Sequence, residues 1–133
     1  MAWYDDSKGT NIGASTKAAE GFADHAVHWI LGGLAKGADP RELRDAVGRK
    51  ARRVYLIGQA AEAFRDALAD LVPVEMAGTL ERAVEAAASA AAPGEAVLLS
   101  PACASFDQFR DYRDRGDQFQ RLVRSRLGIA EAG

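Results

Sequence analysis

Short apolar runs alternate with amphipathic stretches along almost the whole chain. Trp3-Tyr4-Asp5 has the pattern of an edge strand. The polar turn Asp6-Ser7-Lys8-Gly9-Thr10-Asn11 follows, and Thr10 or Asn11 can cap a helix reaching about Phe22, with Ala18, Ala19 and Phe22 facing a sheet. Val27 to Leu31 reads as a second strand, stopped by Gly32-Gly33. Asp39-Pro40-Arg41-Glu42 places an acid at the cap, proline at the first helical position and glutamate at the third, which starts a helix running to about Ala51. Arg53 to Ile57 is a third strand. Gln59 to Leu71 is an amphipathic helix with Ala60, Phe64, Ala67, Leu68 and Leu71 on one stripe. Val72 to Met76 is a short fourth strand that Pro73 confines to an edge or a strand start. Thr79 caps a helix from Leu80 to about Ala92, which Pro93-Gly94 ends.

The stretch from Ala96 to Phe109 organises the rest. Ala96 to Ser100 is the last strand, and Pro101 ends its ladder because it has no N–H to donate. Ser105 followed by Gln108 has the spacing of a capping box and predicts a helix from about Ser105, with Asp107 to about Asp114 as its first segment. Gly116 permits a break, after which Phe119, Leu122, Val123 and Leu127 pack a final helix. A strand feeding a helix in this way leaves backbone N–H groups free for an anion. The alternation of strands and helices predicts βαβ units and a mainly parallel sheet of five to six strands, covered on both faces in three α/β/α layers. The carboxyl ends of parallel strands share one edge, where ligands bind. Three loops leave that edge, and they carry Lys8, Thr10, Lys36 and Ser105. Two ammonium groups, two hydroxyls and free amides suit an anionic ligand with more than one charged group.

Composition narrows the function. The 133 residues suit one domain, and 48% apolar with 27% charged residues suit a globular one. A net charge of −2 offers no basic footprint for nucleic acid or an anionic membrane. No apolar run approaches the roughly 18 residues of a membrane span. The single Cys103 cannot form an internal disulfide and fits a reducing cytosol, where it reads as a small packed residue rather than a nucleophile. His25 and His28 flank a strand start rather than sharing a helix face, which argues against a metal site. The alternating arginines and aspartates from Arg110 to Asp117 read as a solvated helix face. No G-x-x-x-x-G-K-[ST] loop is present to cradle a triphosphate, no G-x-G-x-x-G follows a strand, and no G-x-S-x-G surrounds Ser105. The first strand begins with almost no preceding loop, as expected of a piece of a longer protein.

Three motifs carry a resemblance. Asp6-Ser7-Lys8-Gly9-Thr10-Asn11, Gly32-Gly33-Leu34-Ala35-Lys36-Gly37-Ala38-Asp39 and Ser100 to Phe109 occur in the order found in the Mur ligases that add D-glutamate, and Arg115-Gly116-Asp117-Gln118-Phe119 resembles the end of their C-terminal domain. The resemblance runs from Trp3 to Leu127. It implies a Rossmann-like domain, residues 1–133, belonging to a three-domain cytoplasmic ligase of peptidoglycan synthesis whose N-terminal and central ATPase domains are not in this chain. In such an enzyme ATP activates the carboxylate of UDP-N-acetylmuramoyl-L-alanine as an acyl phosphate, and the amine of D-glutamate displaces the phosphate. The resemblance further implies that Lys36 pairs with one D-glutamate carboxylate, that Ser105 and Phe106 contact the other, and that Thr10 and Tyr112 line the site. Asp6, Lys8 and Thr10 would reach ATP, while magnesium and most of the nucleotide would be held by the central domain. No catalytic residue and no metal ligand is expected in the chain itself, which would be inactive alone and monomeric. Leu34 stands where the family often has a polar residue, frequently Asp, and Tyr112 where Phe is common. The competing expectation is a free-standing Rossmann-like binding or interaction module without catalysis.

Overall fold

In the computed structural model, which describes residues 2–34, 39–105 and 108–126, the apolar runs pair as five strands. These are β1 (Ala2–Asp5), β2 (Val27–Gly32), β3 (Ala51–Ile57), β4 (Val74–Gly78) and β5 (Ala96–Leu99). They lie in the order β1-β5-β2-β3-β4, and every neighbouring pair is parallel. The helices are α1 (Ile12–Glu20), α2 (Arg44–Lys50) after a 3₁₀ turn over Pro40–Leu43, α3 (Ala61–Leu68), α4 (Leu80–Ala90) and α5 (Tyr112–Arg126).

Side-chain alternation along buried strands divides the core into two layers. Val27, Trp29 and Leu31 of β2, with Val54 and Leu56 of β3, pack against Ile12, Val47 and Phe64 from α1, α2 and α3. Ile30, Tyr55, Ile57, Val97 and Leu99 face the other way, against Ala83 and Ala87 of α4 and Phe119 of α5. The alanines of α4 let it lie close on the sheet, so the expected three-layer α/β/α architecture with a parallel sheet is the one observed. The connection after β1 turns to the α1 face, that after β5 to the α4–α5 face, and that after β2 back to the first. Connections that diverge from adjacent strands open a crevice at the carboxyl edge.

Local chemistry starts most of the helices as expected. Asn11 Oδ1 accepts from Ala14 N–H, Asp39 from Arg41 N–H ahead of Pro40, and Thr79 Oγ1 from Arg82 N–H. Boundaries move by a few residues. The helix expected over Gln59–Leu71 is Ala61–Leu68, and the last strand stops at Leu99. The helix expected from Ser105 does not begin there. Gln108 N–H and Phe109 N–H both donate to Ser105 C=O, at 3.2 and 2.9 Å. The Gln108 side chain does not reach back to Ser105; it donates to Gly78 C=O of β4 at 2.9 Å. Asp111 supplies the cap instead, its Oδ1 accepting from Asp114 N–H at 2.8 Å, so α5 starts at Tyr112. The helix then runs unbroken through Gly116. A Cβ at that position would lie 3.0 Å from Asp5 Oδ2 and 3.2 Å from Ser7 Cβ, so the glycine serves close packing of α5 on β1 rather than a break.

His28, buried on β2, stands between Tyr55 Oη at 2.8 Å and Glu95 Oε1 at 2.8 Å. A carboxylate only accepts, so the Nε2 proton points to Glu95. Among the described residues no helix is long and apolar enough to cross a membrane, and no group of three or more His, Cys, Asp or Glu side chains gathers as a metal site.

Candidate functional site at the carboxyl edge of the sheet

The crevice is built where the loops after β1, β2 and β5 meet. Asp6 N–H donates to Leu99 C=O at 2.7 Å, which fixes the exit of β1 against the end of β5. Ala102 N–H donates to Gly9 C=O at 2.9 Å, and Gly32 N–H to Pro101 C=O at 3.0 Å. Leu34 and Ala104 exchange both backbone hydrogen bonds, at 2.8 and 3.0 Å, in an isolated antiparallel bridge between the β2 and β5 loops. Gly33 makes that bridge possible: its φ is +129°, and a Cβ there would stand 2.5 Å from Ala104 C=O. Ala102, at φ 62°, takes a backbone conformation that L side chains rarely adopt, and it does so within this knot of loops.

Two buried polar clusters hold the loops from below. In the first, Ser100 Oγ donates to Asp6 Oδ2 at 2.6 Å, Ser15 Oγ donates to Ser100 C=O at 2.9 Å, and Trp29 Nε1 donates to the same carbonyl at 2.9 Å. The second is centred on Arg115, which is fully buried although it lies on the helix face read as solvated. Its Nε donates to Ser7 Oγ at 2.9 Å, one terminal nitrogen to Ser7 C=O at 2.6 Å and the other to Cys103 C=O at 3.0 Å. The rigid guanidinium fork thus joins the β1 loop to the β5 loop. Ser7 Oγ in turn donates to Tyr112 C=O at 2.6 Å. Neither Ser7 nor Arg115 was singled out individually in the sequence. The helix period held the signal, since Arg115, Phe119 and Leu122 stand at i, i+4 and i+7.

The expected site residues fall as follows. Asp6, Lys8 and Thr10 share the β1 loop; Lys8 and Thr10 are exposed, and Asp6 gives one carboxylate oxygen to Ser100. Lys8 lies between two clefts, one of about 430 Å³ shared with Tyr112, Arg113 and Asp117, the other of about 390 Å³ shared with Asp6 and Lys17. Tyr112 opens α5 with 39% of its surface exposed, and the Arg113 guanidinium carbon stands 5.5 Å from its ring centre. Ser105 is buried next to the Leu34–Ala104 bridge. Lys36 and Phe106 lie outside the described residues. A further cleft among the described residues, about 560 Å³, contains none of the expected residues; it runs between α4 and α5 past Glu81, Phe109 and Arg121.

Comparison with known proteins identifies this arrangement. The family model described as the Mur ligase glutamate ligase domain matches residues 1–103. The UDP-N-acetylmuramoylalanine–D-glutamate ligase of Desulfatibacillum aliphaticivorans is 51% identical over 123 residues, covering 92% of this chain and 27% of that protein. The ligase of the same name from Acidobacterium capsulatum is 47% identical over 130 residues, covering 98% of this chain and 28% of the relative. That of Burkholderia mallei is 53% identical over 122 residues, covering 91% and 24%. The chain therefore spans about a quarter of the length of the curated relatives it matches. By its sequence the chain belongs to the Mur ligase family, as the C-terminal glutamate ligase domain.

Proposed function

We propose that this chain is the amino-acid-positioning domain of a three-domain, cytoplasmic, monomeric ligase that joins D-glutamate to UDP-N-acetylmuramoyl-L-alanine at the expense of ATP. The observation that carries the reading is the meeting of the loops after β1, β2 and β5 at the carboxyl edge of a parallel sheet, where the Leu34–Ala104 bridge and Arg115 tie them together. Family membership supplies the chemical class. A dicarboxylate needs two anion sites at a set separation, and such a separation is how glutamate is told from aspartate. In this reading Lys36 holds one carboxylate, Ser105 and Phe106 hold the other, and Thr10 and Tyr112 close the walls.

The β1 loop suits one side of a nucleotide. Lys8 offers an exposed ammonium for phosphate, Thr10 a hydroxyl, and Asp6 a carboxylate whose second oxygen can accept from a ribose hydroxyl. These groups form a single wall. The phosphate loop and the magnesium ligands belong, in this reading, to domains outside the chain, as does the pocket for the UDP-sugar. When ATP has activated the muramoyl-alanine carboxylate, this domain brings the D-glutamate amine to it. Its contribution is the orientation of a nucleophile rather than proton transfer or covalent catalysis.

The test is steady-state kinetics on the intact ligase. Lys36→Ala is expected to raise KM for D-glutamate by about a hundredfold, the loss of a charge-assisted carboxylate contact, with KM for the UDP-substrate unchanged. Unaltered D-glutamate kinetics would remove Lys36 from the site.

A further inference from the structure

Every polar group of Ser7 is engaged, and its partners belong to different parts of the proposed site. Its N–H donates to Asp5 Oδ1 at 3.0 Å, its C=O accepts from Arg115 at 2.6 Å, and its Oγ accepts from Arg115 Nε at 2.9 Å while donating to Tyr112 C=O at 2.6 Å. The residue is 5% exposed and sits between Asp6 and Lys8. One side chain thus connects the loop read as facing the nucleotide with the residue read as facing the amino acid. Arg115 extends the connection to Cys103, two residues before Ser105.

We infer that Ser7 is a positioning residue for both small substrates: through its hydroxyl it sets Tyr112 against Lys8, so that the ATP wall and the D-glutamate wall hold their places together. This rests on the functional reading above. It follows from geometry. The Tyr112 carbonyl is in the first turn of α5, where it accepts within the helix, and the Ser7 hydroxyl takes its second lone pair. The same hydroxyl orients the Arg115 fork. Without it, α5 and the β1 loop lose a side-chain hydroxyl that touches both, while the Leu34–Ala104 bridge and the Ser100–Asp6 contact are untouched. Loosening therefore affects the relation between the two walls rather than either wall alone.

The experiment compares Ser7→Ala and Ser7→Thr with the unaltered intact ligase. Ser7→Ala, which removes both hydrogen bonds of the hydroxyl, is expected to raise KM for ATP and KM for D-glutamate together, each by about fivefold to tenfold. KM for the UDP-substrate should stay the same. Ser7→Thr, which restores the hydroxyl, should recover both values. A merely structural role would lower the melting temperature or the active fraction and leave both KM values in place. That result, or a rise in the ATP value alone, overturns the inference. Should Ser7→Ala not fold, Ser7→Cys keeps the shape with a weaker donor and is read in the same way; if that variant also fails to fold, Ser7 is structural and the inference falls. Lys36→Ala separates the two levels. If it leaves D-glutamate kinetics unaltered, the functional reading fails; if it raises that KM while Ser7→Ala does not, only the positioning role fails.

Discussion

Single residues decide how tightly the crevice is built, and Gly33 shows it most clearly. Its φ of +129° and the 2.5 Å approach of Ala104 C=O to any added Cβ leave no room for a side chain. Gly33→Ala is expected to cost about 2 kcal/mol or more, by forcing the Leu34–Ala104 bridge apart, read as a lowered urea midpoint with an unchanged m-value. An alanine variant as stable as the parent would show that the bridge contributes nothing to the fold. At this scale the sequence was only partly legible. Asp6, Lys8 and Thr10 lie within five residues of one another in a single loop, so their meeting needed no tertiary knowledge. Arg115 was hidden because the arginines and aspartates around it suggest a wet helix, and only the three-dimensional fold shows carbonyls waiting for its guanidinium. Ser100 looked like the last residue of a strand, and its bond to Asp6 spans 94 positions in the chain.

At the scale of elements, local signals worked where the chain is self-contained and failed where a distant partner intervened. Asn11, Asp39 and Thr79 cap their helices because the groups they satisfy are two or three residues away. Ser105 and Gln108 had the same local signature, but Gly78 C=O at the end of β4 takes the Gln108 amide and the capping box never closes. The amino end of the sheet offers a pH test of element packing. Glu95 precedes β5, and its carboxyl is held below the ordinary carboxylate range, first by Ala92 N–H and then by the His28 ring. A carboxyl whose folded pKa is lowered adds stability that is present above its unfolded pKa and is lost as the pH falls through the folded one. Glu95→Gln should therefore be less stable than the parent at pH 7, and the two unfolding curves should converge as the solution is acidified below about pH 4. A gap that stays constant over that range would mean that the Glu95 charge is not involved. Beneath it, burial pushes the Tyr55 hydroxyl up to about 12, so the phenol beside His28 keeps its own proton throughout the neutral range.

The whole molecule was the most legible level. Apolar runs at β2 and β5 had to be central strands because nothing else buries every residue of such a run, and strands alternating with helices leave little choice but a parallel sheet. The order β1-β5-β2-β3-β4 then puts the three polar loops side by side, whatever their individual contacts. Less was legible about which concave surface matters, since a cleft of about 560 Å³ lies between α4 and α5, away from those loops. The two surfaces are distinguished by one measurement, an amide NMR titration of the ¹⁵N-labelled chain with D-glutamate. In the proposed reading other domains complete the site, so binding to this chain alone should be weak, with a Kd on the order of a millimolar. The account predicts that the resonances that move are those of Thr10, Leu34, Ser105 and Tyr112. Shifts confined to Glu81, Gln118 and Arg121 would place the amino acid in the other cleft and contradict it.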